Sequence, residues 1–230
     1  MAEAIHPESL DHVALWVAER AALAAFLCDH LGMHVIERTD EFTLVGVDAK
    51  LGKLTLFEAE GPRERGLLER VILRVSDLDA ALEGLPAEAG ARRQIDYAEL
   101  QAPGGVPLGL VEVETGADFD LDRVVLRVAE PERTAVELAR LGFASRNGQL
   151  EVADRRLLLE QGDGRRIERP LLNHLALLVD SAEQVRAEAE RRGVEIADVV
   201  DAPNTLAVFI WGPERIKLEY VEHKPGFALT

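Results

Sequence analysis

The stretch "LDHVALWV", Leu10–Val17, is a mainly apolar run with Asp11 and His12 near its start, and it reads as a strand, whose side chains alternate between two faces. Val13, Leu15 and Val17 fall on one face, expected to pack against helices. His12, Ala14 and Trp16 fall on the other. The phrase returns as "LERVILRV", "LDRVVLRV" and "LNHLALLV", beginning at positions 10, 68, 121 and 172, steps of 58, 53 and 51 residues. Such self-similarity at a near-constant period marks repeated structural units. Each copy is followed by a run with apolar residues at three- and four-residue steps, such as Leu23, Phe26, Leu27 and Leu31, which predicts a helix. Ser76 and Ser181 are candidate N-caps, and Gly32, Gly142 and Gly193 candidate helix stops.

Strand-like segments close each unit. Unit one has "FTLVGVD" and "KLTLFEAE", unit two "YAELQAP" and "PLGLVEVE", unit three "GQLEVAD" and "RRLLLEQ", unit four "LAVFIWGP" and "RIKLEYVE". Each unit therefore reads strand, helix, then two or three strands. Units of this size cannot bury a core alone, so they must pair. Gly-, Pro- and charge-rich connectors at 58–66 and 160–170, and the turn "VETGADFD", divide the chain into halves at 8–116 (units one and two) and 119–224 (units three and four).

The four equivalent strand positions read His12, Arg70, Arg123, His174. Both histidines point to the open face, and Arg70 and Arg123 are expected to pair with acids such as Glu112 or Glu160. The carboxylate nearest in kind is Glu219, on the same face as Lys217 and Val221. In "KLTLFEAE", alternation puts Glu58 on the helix side, while aligning "LTL" with "LEY" puts Thr55 at the Glu219 position; Glu58 stands as a candidate fourth ligand. His6, His30, His34 and His223 have no repeat counterpart and are expected at the surface.

Composition narrows the classes. The chain has 230 residues, 47% of them apolar, and no apolar run of the roughly 18–20 residues that a membrane span needs. Its one cysteine, Cys28, excludes an intrachain disulfide and a thiolate metal site, and its place in a helical run predicts a small core residue. The net charge of −16 opposes binding to nucleic acid phosphates. No secretory leader pattern, phosphate loop, nucleophile elbow or zinc-type cysteine pair is present. A cytoplasmic protein with a small-molecule substrate is expected, without nucleic acid or membrane partners and with a homodimer left open.

Four βαβββ units with His and Glu on strand positions resemble the vicinal oxygen chelate superfamily, from Leu10 to Glu222. That superfamily includes glyoxalase I, extradiol ring-cleaving dioxygenases, epimerases and fosfomycin- or bleomycin-resistance proteins. The resemblance implies an α+β fold of four βαβββ modules in two pseudo-symmetric halves. It also supports Glu219 as a ligand: Glu219 is six residues after Pro213, as in the superfamily's "DPxGxxxE" ending, although Gly212 and Arg215 replace its Asp and Gly. In unit two the same spacing from Pro103 reaches Gly109, which has no ligand side chain. In fused glyoxalase-type members, unit one shares a cleft with unit four and unit two with unit three; in extradiol dioxygenases, one pairs with two and three with four.

With the first pairing, His12, His174 and Glu219 surround one centre. Two histidines and one carboxylate form the facial triad of non-haem Fe(II) oxygenases. Fe(II) is therefore the first choice of ion, with Mn, Zn, Ni or Co also compatible. The expected function is a divalent-metal-dependent, extradiol-dioxygenase-like enzyme that binds its substrate through vicinal oxygens. Adding Glu58 gives the alternative of glyoxalase- or epimerase-like proton transfer. A non-catalytic binding or resistance protein is the third reading. Trp16, Thr55, Phe209 and Trp211 are the expected pocket residues. The extradiol signature's Tyr is replaced by Phe209, and no His lies between His174 and Glu219, so a proton relay would fall to His34 or His223.

Overall fold

The computed structural model describes residues 5–48, 52–146, 149–165 and 167–225. Gly148, expected in the second strand of unit three, and Arg166, in the second connector, lie outside them. All four units fold as βαβββ modules. The first is β1 (Ser9–Val17), α1 (Arg20–His30), β2 (His34–Arg38), β3 (Phe42–Gly46) and β4 (Lys53–Glu58). The second is β5 (Leu68–Val75), α2 (Leu78–Glu83), β6 (Arg92–Arg93), β7 (Ala98–Ala102) and β8 (Val106–Glu112). The third is β9 (Asp120–Val128), α3 (Pro131–Arg140), β10 (Ala144–Arg146), β11 (Gln149–Val152) and β12 (Arg155–Gln161). The fourth is β13 (Leu172–Leu178), α4 (Ala182–Arg192), β14 (Ile196–Asp201), β15 (Thr205–Trp211) and β16 (Lys217–His223).

The modules join in two eight-stranded mixed sheets. One runs β14-β15-β16-β13-β1-β4-β3-β2, the other β10-β11-β12-β9-β5-β8-β7-β6. Module one therefore pairs with module four, and module two with module three. Each sheet draws one module from each half of the sequence, joined through the antiparallel pairs β1–β13 and β5–β9. This is an α+β fold with two pseudo-symmetric halves.

Strand alternation sets which face is core. Val13, Leu15, Val17, Leu54, Leu56, Leu175, Leu177 and Leu218 are buried in one cluster with Leu23 and Leu27 of α1 and Val185 and Ala189 of α4. The same cluster takes in Val71, Leu73, Leu108, Val124 and Leu126 of the second sheet, so one core joins both sheets. Burying a Leu or Val side chain is worth ~1.5–3 kcal/mol. Cys28, expected in the core, is only half-buried. Ser181 caps α4 as expected, accepting from Gln184 N–H at 3.3 Å. At α2 the cap is Asp77, not Ser76: its carboxylate accepts from Ala80 N–H at 2.9 Å.

Polar contacts tie the sheets together. Tyr220, fully buried, donates its hydroxyl to the Leu141 carbonyl at the end of α3, 2.6 Å away. Asp120 accepts from Gly52 N–H at 2.8 Å and pairs with Arg74 and with Arg155 at 2.8 Å. Gly52 has φ +61°, and a Cβ there would lie 2.9 Å from the Phe119 carbonyl oxygen. Only glycine permits both that conformation and that approach. Among the described residues no helix is long and apolar enough to cross a membrane.

Candidate metal centre

His12, His174 and Glu219 meet on the open face of the first sheet. His174 Nε2 lies 2.7 Å from Glu219 Oε2, His12 Nε2 lies 3.3 Å from the same oxygen, and the two Nε2 atoms are 3.2 Å apart. Three cis ligands on an ion with ~2.1 Å bonds stand ~3.0 Å apart, a value these separations bracket. All three residues are largely buried, with His174 3% and Glu219 7% exposed. This is the group among the described residues whose ligand atoms lie close enough to hold a metal ion.

A repeated backbone device aims the two imidazoles. Leu10 pairs with Leu177 and His12 with Ala176, so Asp11 is an extra residue bulged out of the β1 ladder. Asn173 is bulged in the same way in β13, between His174 and Leu172. A bulge inserts one residue and shifts the phase of the strand. Leu10 and Leu172 thereby reach the core while the histidines face the opening. The bulged side chains then contact their neighbours. Asp11 Oδ2 accepts from His12 Nδ1 at 2.9 Å and Asn173 Oδ1 from His174 Nδ1 at 3.1 Å. With both Nδ1 atoms engaged by outer oxygens, both Nε2 atoms turn toward the centre, where a bound ion would take their lone pairs.

The two histidines are electrically unlike. Behind His12 stands a carboxylate, which in turn receives the Lys53 ammonium at 2.7 Å; Lys53 is only 2% exposed. Burial would raise the Asp11 carboxyl, but the His12 hydrogen bond and the Lys53 charge outweigh it and hold it at about 2. Burial likewise opposes charge on His12, yet hydrogen bonds to Asp11 and Glu219 outweigh it and raise its pKa to about 9. His174, behind which stands a neutral amide, is lowered by burial, against the pull of Glu219. Glu219 is held well below the usual carboxylate range, the attraction of the two histidines overcoming its burial. At neutral pH His12 is therefore held protonated in the metal-free fold, and a divalent ion would displace that proton.

The register decides between Thr55 and Glu58. β4 runs parallel to β1 with Thr55 beside Ala14, and β16 runs parallel to β13 with Glu219 beside Ala176, so Thr55 is the counterpart of Glu219. Thr55 is buried. Glu58 lies at the end of β4, half-exposed, with its carboxylate 2.9 Å from Arg20 Nε, and is not part of the cluster. Trp16 and Phe209 stand close by: Trp16 packs on Phe57 at 5.3 Å, and Phe57 and Phe209 pack on His174 at 6.1 and 5.2 Å between ring centroids. Trp211 lies beyond them, under Arg215 at 4.0 Å.

The second sheet carries the same device without ligands. Glu69 and Asp122 are the bulged residues, and they contact Arg70 at 3.8 Å and Arg123 at 2.5 Å. Arg70 also pairs with Glu99 at 2.7 Å and lies over Tyr97. The arginines are paired, but not with Glu112 or Glu160 as expected, because the bulges and β7 bring other acids nearer. Gly109 holds the Glu219 position; a Cβ there would meet Arg70 Cδ at 3.0 Å, so the missing side chain makes room for the arginine stem. Ile72, Val111 and Val125 fill the rest of that face.

Sequence reasoning missed Asp11, Asn173 and Lys53. The signal for the first two was present: every repeat has Asp, Glu or Asn just before its His or Arg. His223 and His30, expected at the surface, are half-buried, His223 with Nε2 4.0 Å from Asp11 Oδ1, whereas His6 and His34 are exposed.

Residues 9–91 match the family model of the Glyoxalase/Bleomycin resistance protein/Dioxygenase superfamily. The match covers the first module and part of the second, and the remaining modules repeat the same fold. A provisionally named dioxygenase from Bacillus subtilis subsp. subtilis str. 168 superposes with a TM-score of 0.79 at 17% identity, covering 96% of this chain and 87% of that one. Glyoxalase I from Zea mays gives 0.73 at 16%, covering 93% and 92%. The cppA protein from Streptococcus pneumoniae TIGR4 gives 0.60 at 16%, covering 92% and 97%. At these identities the likeness establishes the fold, and a fold hosts many reactions. No curated protein matches the chain by sequence.

Proposed function

We propose that this protein is a divalent-metal-dependent enzyme that binds a small substrate through two neighbouring oxygens and catalyses dioxygenase-type oxygenation. The ligand set carries this reading: two histidines and one carboxylate converge, and Thr55, not an acid, holds the fourth repeat position. Such a set leaves neighbouring positions on an ion open to a bidentate substrate and to O₂. Fe(II), when bound, would supply the redox chemistry that side chains lack. The chain's own residues would orient and shield: Asp11 and Asn173 fix the imidazoles, and Phe57 and Phe209 pack against His174.

Proton transfer of the glyoxalase type is the second reading, favoured by the pairing of module one with module four. It asks for a further carboxylate, and Glu58 is engaged by Arg20. A ligand-sequestering protein has no use for a complete ligand set.

The test begins with metal content of protein purified without chelators, beside His12→Ala and His174→Ala. Wild type should hold one ion per chain and either variant should lose it; a metal-free wild type, or a variant with full occupancy, overturns the site. Oxygen uptake with catechols should then exceed isomerisation of a methylglyoxal–thiol adduct. The reverse result would replace oxygenation with proton transfer.

A further inference from the structure

Two ladders of rings lead outward from His174, and each ends in a cation. One runs from His174 to Phe209, ring centroids 5.2 Å apart, and then to Lys217, whose Nζ is 4.8 Å from the Phe209 ring. The other runs from His174 to Phe57 and Trp16, and ends in Arg63, its guanidinium carbon 5.4 Å from the Trp16 ring. Lys217 and Arg63 form no ion pair among the described residues, and Arg63 Nε is buried without a hydrogen-bond partner. Acids outnumber bases 42 to 26 in this chain, so two unpaired, half-buried cations beside one centre call for a reason. Arg215, by contrast, is neutralised by Glu195 at 2.6 Å and serves as wall over Trp211.

A recess of about 200 Å³ is lined by Trp16, Trp211, Asn173, Lys217 and Arg215 among others, with the three ligand residues outside its lining. It is smaller than the ~300–1,000 Å³ of pockets for drug-sized ligands, which limits it to about one substituted ring. Its indole walls suit a flat ring. Asn173, which lines it, accepts from His174 Nδ1, so one shared side chain links the recess to the ligand cluster.

We propose that the recess is an anion-reading subsite: it takes an aromatic substrate whose ring lies between Trp16 and Trp211 and whose carboxylate meets Lys217, with Arg63 as the outer cation. This rests on the proposed function only for the placing of the substrate's two oxygens on the triad. Lys217 shares the open face with Glu219, two residues along β16, so it stands beside the centre without competing for it. An incoming carboxylate would replace the ring face as partner of the ammonium, a charge-assisted contact stronger than the cation–π contact it displaces.

Trp16 and Trp211 are the two tryptophans of the chain and both line the recess, so intrinsic fluorescence reads occupancy without turnover. Anaerobic titrations of metal-loaded protein would compare three probes: 3,4-dihydroxybenzoate, with both features; catechol, with the oxygens alone; and benzoate, with the anion alone. Dihydroxybenzoate should bind at least tenfold more tightly than catechol. Lys217→Gln should abolish that preference and leave catechol binding unchanged, and Arg63→Gln should reduce it. Equal affinity for dihydroxybenzoate and catechol, or a preference that survives in Lys217→Gln, overturns the subsite. Benzoate binding that is lost in Lys217→Gln, with no binding of catechol, keeps the subsite and removes the vicinal-oxygen reading. Binding of none of the three probes removes both.

Discussion

Replacing Asp11 by asparagine separates what this residue does for folding from what it does for the centre. Asp11 and Lys53 form an ion pair with 6% and 2% side-chain exposure. Removing one partner of a buried pair costs ~3–5 kcal/mol, because the other charge stays buried without compensation. Asp11→Asn should therefore lower the unfolding free energy by about that amount. The amide can still accept from His12 Nδ1–H and keep the tautomer, but it no longer supplies negative charge behind the ring. Loss of such an outer partner typically weakens metal binding by ~10–100-fold, or ~1.4–2.7 kcal/mol. The double variant Asp11→Asn/Lys53→Met removes both charges together, and should return stability to near the wild-type value. Metal affinity should stay at the level of the single variant. Urea unfolding gives the first quantity, and competition with a chelator of known affinity gives the second. If the double variant recovers metal affinity along with stability, Asp11 acts only through folding and its role behind His12 is refuted.

Three further outcomes follow from the geometry. Because His12 is raised from 6.5 to about 9 in the metal-free fold, its contribution to stability is complete below pH 6.5 and fades as pH climbs through about 9. A divalent ion displaces that proton, so metal affinity should rise from neutral pH to about 9 and then level off, with about one proton released per ion at neutrality. Calorimetry in buffers of different ionisation enthalpy measures this, and a heat independent of buffer contradicts it. Glu58→Gln should leave metal content unchanged and shift stability by less than ~1 kcal/mol, since it breaks only a half-exposed pair with Arg20; loss of the ion would restore the four-ligand reading. Tyr220→Phe leaves the Leu141 carbonyl without its donor and should cost ~1–3 kcal/mol, seen as a lower urea midpoint with unchanged slope and unchanged metal content.

Much of this was legible in the chain because strand alternation is a local property. His12 and His174 share a repeat position, Glu219 shares a face with Lys217, and Val13, Leu15 and Val17 turn inward; each follows from a period of two within one strand. The matching of Thr55 with Glu219 was readable by aligning repeats, since the modules keep one strand length between their first and last strands. The four copies themselves fixed the architecture as βαβββ units that must pair.

Which modules pair was a tertiary matter. It depends on whose edges complete a buried sheet, a non-local choice that no single repeat encodes; the strand order β16-β13-β1-β4 made it, and with it brought residues 162 positions apart into contact. The bulges at Asp11 and Asn173 were also decided there. Each relieves a conflict between Leu10 or Leu172, which the core demands, and a histidine two residues later, which the opening demands. Strict alternation would put both on one face, so the backbone spends one residue to satisfy both, and that residue becomes the support for the histidine.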